Sequence, residues 1–87
     1  MATATLVEES MPWWQPGTNL YQLSEPMHGN DHIAVTVAPT GTAVIPATAN
    51  GASVAAPNEM GLVAFRTEYP PISHADMLAA LGYEVIG

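Results

Sequence analysis

Apolar positions recur with a period of two in the middle of the chain. Ile33, Val35 and Val37 alternate with Ala34, Thr36 and Ala38, which places branched side chains on one face of a strand and makes that face core. Pro39-Thr40-Gly41 follows, with proline at the second and glycine at the fourth position of a type I turn, and predicts a three-residue hairpin loop with a glycine bulge. Thr42 to Thr48 is β-rich, but Pro46 has no N–H for a ladder and marks a sheet edge or the place where pairing stops. Asn50-Gly51 suits a type I′ hairpin, and Ala52 to Ala56 would be a short return strand. The side chains of that strand are small, so at about 25 cal/mol per Å² of apolar area it needs something to lie against. Three strands and two hairpins thus form a meander from Asp31 to Ala56 around which the rest of the chain is arranged.

Downstream, Leu62 to Tyr69 reads as a fourth strand, with Val63, Phe65, Thr67 and Tyr69 on one face and Phe65 as a core residue. Tyr69-Pro70-Pro71 ends it. Ser73 then stands three residues before Asp76, a capping-box-like helix start whose carboxylate also suits the helix dipole. The helix runs through Leu81 to Gly82, a natural C′ residue, and buries a stripe of His74, Met77, Leu78 and Leu81. Tyr83 to Ile86 returns as a final strand paired into the sheet. Upstream, Asn19 to Leu23 alternates ambiguously, and Ser24 to Asn30 is rich in turn residues. Residues 1–10 read as a flexible arm or a short edge strand, and residues 11–87 as a single small domain. The fold class expected is α+β: a mostly antiparallel sheet of four to five short strands with one C-terminal helix packed on it.

Composition narrows the chemistry. Eighty-seven residues without cysteine make a small core that no disulfide or thiolate–zinc site staples. Eight acidic residues stand against Arg66, the single base, for a formal net charge of −7. Binding nucleic acid by neutralising phosphates needs several Lys or Arg, and so does docking to anionic lipid, so neither partner is expected. The carboxylates are scattered rather than dense, which favours a solvated acidic surface over mimicry of a phosphate row. The N-terminus has no basic segment or long apolar run, and nothing approaches the ~20 apolar residues of a membrane span. A cytoplasmic protein is expected.

Four groups of residues carry candidate chemistry. Trp13 and Trp14 are fenced by Pro12 and Pro16; as a lid they would close the open face of the meander, and as an interface anchor one ring would seat in a partner. His28, Asp31 and His32 lie within five residues and could in principle hold zinc or nickel. The Gly29-Asn30 step between them forbids a helix, so the two rings do not share a helical face, and loop and surface histidines are the preferred reading. Arg66 could clamp a ligand anion, though in so acidic a chain pairing with a nearby carboxylate is preferred. His74 and Asp76 could form an acid–base pair, but capping accounts for their types. No catalytic residue and no cofactor is expected.

Three segments resemble a group of small uncharacterised proteins encoded by actinobacterial phages: Leu23 to Val37, Val44-Ile45-Pro46-Ala47 running to Asn50-Gly51, and Ser73 to Val85 with its Gly82-Tyr83-Glu84-Val85 tail. The resemblance spans residues 20 to 86. It implies a phage accessory gene with no known activity, and no functional residue is carried over. Together the residues and the resemblance lead to the expectation of a non-enzymatic protein that binds another protein, of host or virion, through Trp13 and Trp14. One alternative is a virion structural or assembly protein that self-associates as a homo-oligomer, and another is a small metal enzyme using His28, Asp31 and His32.

Overall fold

A computed structural model describes residues 2–10, 17–27, 29–50 and 66–86. Its strands are β1 (Ala2–Glu8), β2 (Thr18–Met27), β3 (Asn30–Ala38), β4 (Gly41–Ala47), β5 (Arg66–Glu68) and β6 (Tyr83–Ile86), with one helix, α1 (His74–Ala80), before β6. They form one six-stranded sheet in the order β5-β4-β3-β2-β1-β6. All neighbours are antiparallel except β1 and β6, which run parallel. The α+β architecture with a C-terminal helix on a mostly antiparallel sheet is the one its alternating pattern predicts, with six strands in place of four to five.

The period-two pattern of β3 fixes its register. Ile33 pairs with Pro46 and Val35 with Val44 on one face, while Ala34 pairs with Ile45 and Thr36 with Ala43 on the other. Ala38 pairs directly with Gly41, so the β3–β4 loop is the two residues Pro39-Thr40, one shorter than the glycine-bulge loop expected. Gly41 takes its positive φ of 135° as the first residue of β4 instead. A Cβ there would lie 2.8 Å from the Glu68 carbonyl oxygen, so glycine also lets β5 come close. Pairing of β4 with β5 runs, among the described residues, from Thr42↔Glu68 to Val44↔Arg66. Leu62 to Phe65 of the expected fourth strand, and the Asn50-Gly51 turn with its return strand Ala52 to Ala56, lie outside the described residues or run out of them at Gly51.

β2 is longer than its sequence signal, and its first half is buried on both faces. Tyr21 and Leu23 belong to the cluster under the helix, whereas Leu20 belongs to a second cluster with Ala34 and Ala47 on the far face. The stretch of turn signals from Ser24 to Asn30 is mostly strand, since β2 runs to Met27 and Met27 already pairs with Asn30. Pro26 sits in the irregular stretch between Gln22 and Met27, where the β2–β3 ladder shifts register and a missing N–H costs little.

The largest departure concerns the N-terminus. Residues 2–8, read from sequence as part of a flexible arm or as an edge strand, form β1, which is hydrogen-bonded on both sides. Ala4 pairs with Leu23 of β2 and with Val85 of β6, and it is fully buried. The segment's fully buried position is an alanine, and its two larger apolar residues, Leu6 and Val7, come only at its end. Its alternation of Ala and Thr is β-compatible but carries almost no hydrophobic contrast, which is what hid it. The β1–β2 ladder shifts by one residue between Leu6 and Glu8, a bulge at Val7 just beyond the last β1–β6 pair, Thr5↔Ile86.

The helix begins as its sequence predicts. The Ser73 Oγ accepts the Asp76 N–H at 3.1 Å, and the Ser73 carbonyl accepts the Met77 N–H at 2.9 Å. It ends at Leu81, with Gly82 at φ 91° donating to the Ala79 carbonyl at 3.0 Å. Seven residues are too few for a stable isolated helix, so its stability comes from the buried stripe. Met77 and Leu78 are fully buried in one cluster with Ala4, Tyr21, Leu23, Ile33, Val35, Val44 and Tyr83. Each such side chain contributes about 1.5–3 kcal/mol by leaving water.

An interior β1 has a direct consequence. Ala4→Glu places an unpaired charge at a buried position and is expected to lower unfolding free energy by about 3 kcal/mol or more, whereas the exposed Glu9→Ala stays within about 0.5 kcal/mol. Urea unfolding followed by circular dichroism measures both; equal, small effects would mean that β1 is not docked.

Candidate functional site

The sequence-derived candidates are dispersed by the fold. Trp13, Trp14 and His28 lie outside the described residues. Asp31 and His32 open β3, where His32 points to the face opposite α1 and is 8% exposed. It is therefore a buried histidine and not the surface residue expected, because its strand neighbours Gln22 and Ala47 flank it on both sides. Its Nδ1 lies 2.9 Å from Asp31 Oδ1, and Asp31 itself is largely exposed. The hydrogen bond from His32, aided by its charge when protonated, holds the Asp31 carboxyl below the ordinary aspartate value of 3.8 against a smaller opposing effect of desolvation. Among the described residues no three His, Asp or Glu side chains converge as a metal site.

Arg66 reaches across one face of β5 to Glu68. Its Nε and Nη2 donate to the same carboxylate oxygen at 2.9 and 2.6 Å. Both side chains are partly exposed, so the pair adds little to stability, but it occupies the guanidinium that an anionic ligand would need. His74 and Asp76 are likewise engaged structurally. His74 Nε2 donates to the Gly17 carbonyl at 2.7 Å, an oxygen that also accepts the Val37 N–H at 3.2 Å, while the Asp76 N–H is held by Ser73. Gly17 has φ 87° and a Cβ there would sit 2.6 Å from the Val37 carbonyl oxygen, so this tie between β3 and the helix start requires glycine.

Two further polar contacts lock the sheet. The Tyr83 hydroxyl donates to the Glu25 carbonyl at 2.8 Å, and burial, followed by the Glu25 carboxylate charge, raises its pKa above the usual tyrosine value. The Thr42 hydroxyl donates to the Ile72 carbonyl and accepts the Ile72 N–H at 2.8 Å, fixing the linker between β5 and α1.

One concave feature lies where β3, β4 and β5 meet, a groove of about 310 Å³. Its rows follow from the register. Thr36, Ala43 and Thr67 stand side by side across the three strands, with Ala38 and Gly41 in the next row. A Cβ at Gly41 would lie 4.0 Å from the Tyr69 Cβ, which places Tyr69 beside that row. Parity with Val35 and Val44 puts this row on the face away from α1. Ala38, Gly41 and Ala43 leave a floor with nothing larger than a methyl group, Thr67 is exposed, and Tyr69 is 77% exposed. The Thr36 hydroxyl shares a buried hydrogen bond of 2.8 Å with Thr18, which fixes the wall of the groove. Sequence reading missed this set because it depends on a β4–β5 register; the signal present was a repeated Ala/Thr/Gly composition flanking the Pro39-Thr40 turn.

A family model described as a family of unknown function, DUF7572, matches residues 2–84. The chain belongs to the DUF7572 family. The matched span takes in β1 and the first residues of β6, so the DUF7572 region includes the parallel closure of the sheet as well as the groove. Neither curated proteins nor solved structures yield a match.

The Asp31–His32 pair gives a pH-dependent observable. A carboxyl whose folded pKa is depressed contributes stability above its unfolded value, and that contribution is lost as pH falls through the folded value. The relevant window therefore lies below 3.8. Carboxyl-carbon NMR titration is expected to give Asp31 a midpoint below 3.8, returning to the ordinary value in His32→Ala; an unchanged midpoint in that variant would mean that His32 is not the cause.

Proposed function

We propose that this domain is a non-enzymatic accessory protein that binds another protein, with the β6 end of the sheet as its contact. The observation that carries the proposal is the state of that end. β6 is the terminal strand of the described sheet, and Ile86 on it and Val7 at the bulge of its neighbour β1 are each 48% exposed. A terminal strand offers a row of backbone donors and acceptors to which a partner segment adds by strand pairing, and flanking apolar side chains supply the affinity. At the opposite end, β5 is followed by Pro70 and Pro71, residues that blunt an edge. β6 carries Glu84 and neither Lys nor Pro.

Charge selects the partner. With a net charge of −7, a complementary segment is basic, and its association slows and weakens as salt screens the attraction. The resemblance of Leu23 to Val37 and Ser73 to Val85 to phage accessory proteins supports a host protein as the target. The same open strand also favours self-association, the virion-assembly reading, and solution mass separates the two.

Light scattering over about a hundredfold range of concentration is expected to return the 9.1 kDa monomer. Proteins retained by the immobilised domain are expected to be released by salt and to be lost with the double variant Val7→Lys, Ile86→Lys, provided that its circular dichroism spectrum is unchanged. A concentration-independent dimer would shift the reading to assembly, and retention of the same proteins by the variant would remove β6 as the contact.

A further inference from the structure

We infer that the groove at the β3–β4–β5 end is a binding site for a neutral carbohydrate, separate from the β6 contact at the other end of the sheet. Three features of its lining select that class. The first is the aromatic side chain: Tyr69 lines the groove, its Cβ beside Gly41, and at 77% exposed it is not packed into the floor. An aromatic face presented over a shallow, small-residue floor suits a flat ligand with a weakly positive C–H face, which the ring's negative quadrupole attracts. A pyranose offers that face.

The second feature is the donor set. Thr40 and Thr67 line the same groove and are exposed, and a threonine hydroxyl both donates and accepts, while Thr36 in the wall is committed to Thr18. Such groups match the paired donor–acceptor character of sugar hydroxyls, where a ligand with carboxylates or ammoniums would call for fixed charges. The third is the charge balance. Arg66 and Glu68 are bound to each other on β5, and the Arg66 position, paired with Val44, belongs to the helix face. Glu68 lines the groove, but its carboxylate is held by Arg66, so the groove has neither a free base for an anion nor an unpaired carboxylate for a cation, in a chain whose net charge of −7 already repels anions.

Size agrees with the class. A volume of about 310 Å³ sits at the lower end for ligand pockets and holds one sugar ring with its first shell of water. The backbone supports the site independently of side-chain choice: Gly41 is fixed by its φ of 135° and by the 2.8 Å that a Cβ would leave to the Glu68 carbonyl oxygen. No larger residue fits at that point of the floor. A single ring on an open groove binds with a Kd on the order of 1 to 10 mM.

The test is a titration of the full chain, ¹⁵N-labelled with ¹³C-labelled tyrosine, against glucose, galactose, mannose and N-acetylglucosamine at up to about 50 mM. At least one sugar is expected to shift the Tyr69 ring together with the Ala43 and Thr67 amides while leaving Ile86 unmoved. Tyr69→Ala is expected to weaken that binding about tenfold or more, Tyr69→Phe to retain it, and Ala43→Leu, which fills the floor, to abolish it. Because Tyr69 is exposed, its truncation leaves the fold intact, as the remaining amide spectrum would show. The inference is overturned if no sugar in the panel shifts these resonances, if Tyr69→Ala binds as well as the parent chain, or if inorganic phosphate titrates the same resonances at equal concentration. None of these outcomes depends on the β6 contact, which the Val7→Lys, Ile86→Lys variant tests alone.

Discussion

Met77 and Leu78 lie fully buried in one cluster with Ile33, Val35 and Val44, and the rest of the structure depends on that contact. A helix of seven residues does not persist alone, and a strand as bland as β1 has little reason to pair unless its partners are already fixed. The helix end delivers the chain, through Gly82, directly into β6, and β6 holds β1 in parallel from Ala2↔Tyr83 to Thr5↔Ile86. Helix docking and closure of the sheet across the length of the chain are therefore one event. In a domain with so small a core, coupling them makes each buried residue count toward both.

That arrangement divides the labour between the two faces. The face under α1 takes the large side chains and is sealed by Thr42 on Ile72, His74 on Gly17 and Tyr83 on Glu25, contacts that satisfy polar groups at its rim. The opposite face carries Leu20, Ala34 and Ala47 near the middle and the threonine-lined groove toward β5. Small residues there do not weaken the fold, because the energy of burial is concentrated on the helix side. The two proposed contacts, the groove at one end of the described sheet and the β6 strand at the other, accordingly lie apart from the core under the helix.

How far the sequence discloses this varies with the range of the interaction that decides each element. The β3 alternation, the Ser73 cap and the Gly82 stop are set by residues within a few positions, and they read correctly. The β3–β4 loop is one residue shorter than its turn signal because Gly41 is used for the close approach of Glu68, a contact 27 residues away by the numbering of the pair. β1 escaped because the residue it buries fully between Leu23 and Val85 is only an alanine, and an alternation of Ala and Thr carries little hydrophobic pattern. His32 follows its strand parity as expected but is buried by a second apolar face that periodicity alone does not announce. The groove is a product of register between Thr36, Ala43 and Thr67, three residues that nothing local connects.

Leu78→Ala tests the central claim most directly, since it removes a fully buried side chain from the helix–sheet contact and touches neither β1 nor β6 in sequence. Urea unfolding monitored separately by tryptophan fluorescence and by circular dichroism should show one coincident transition, destabilised by about 2–5 kcal/mol with its slope unchanged. A loss below about 0.5 kcal/mol, the value for a surface substitution, would contradict the account, as would two separated transitions in which the sheet outlasts the helix.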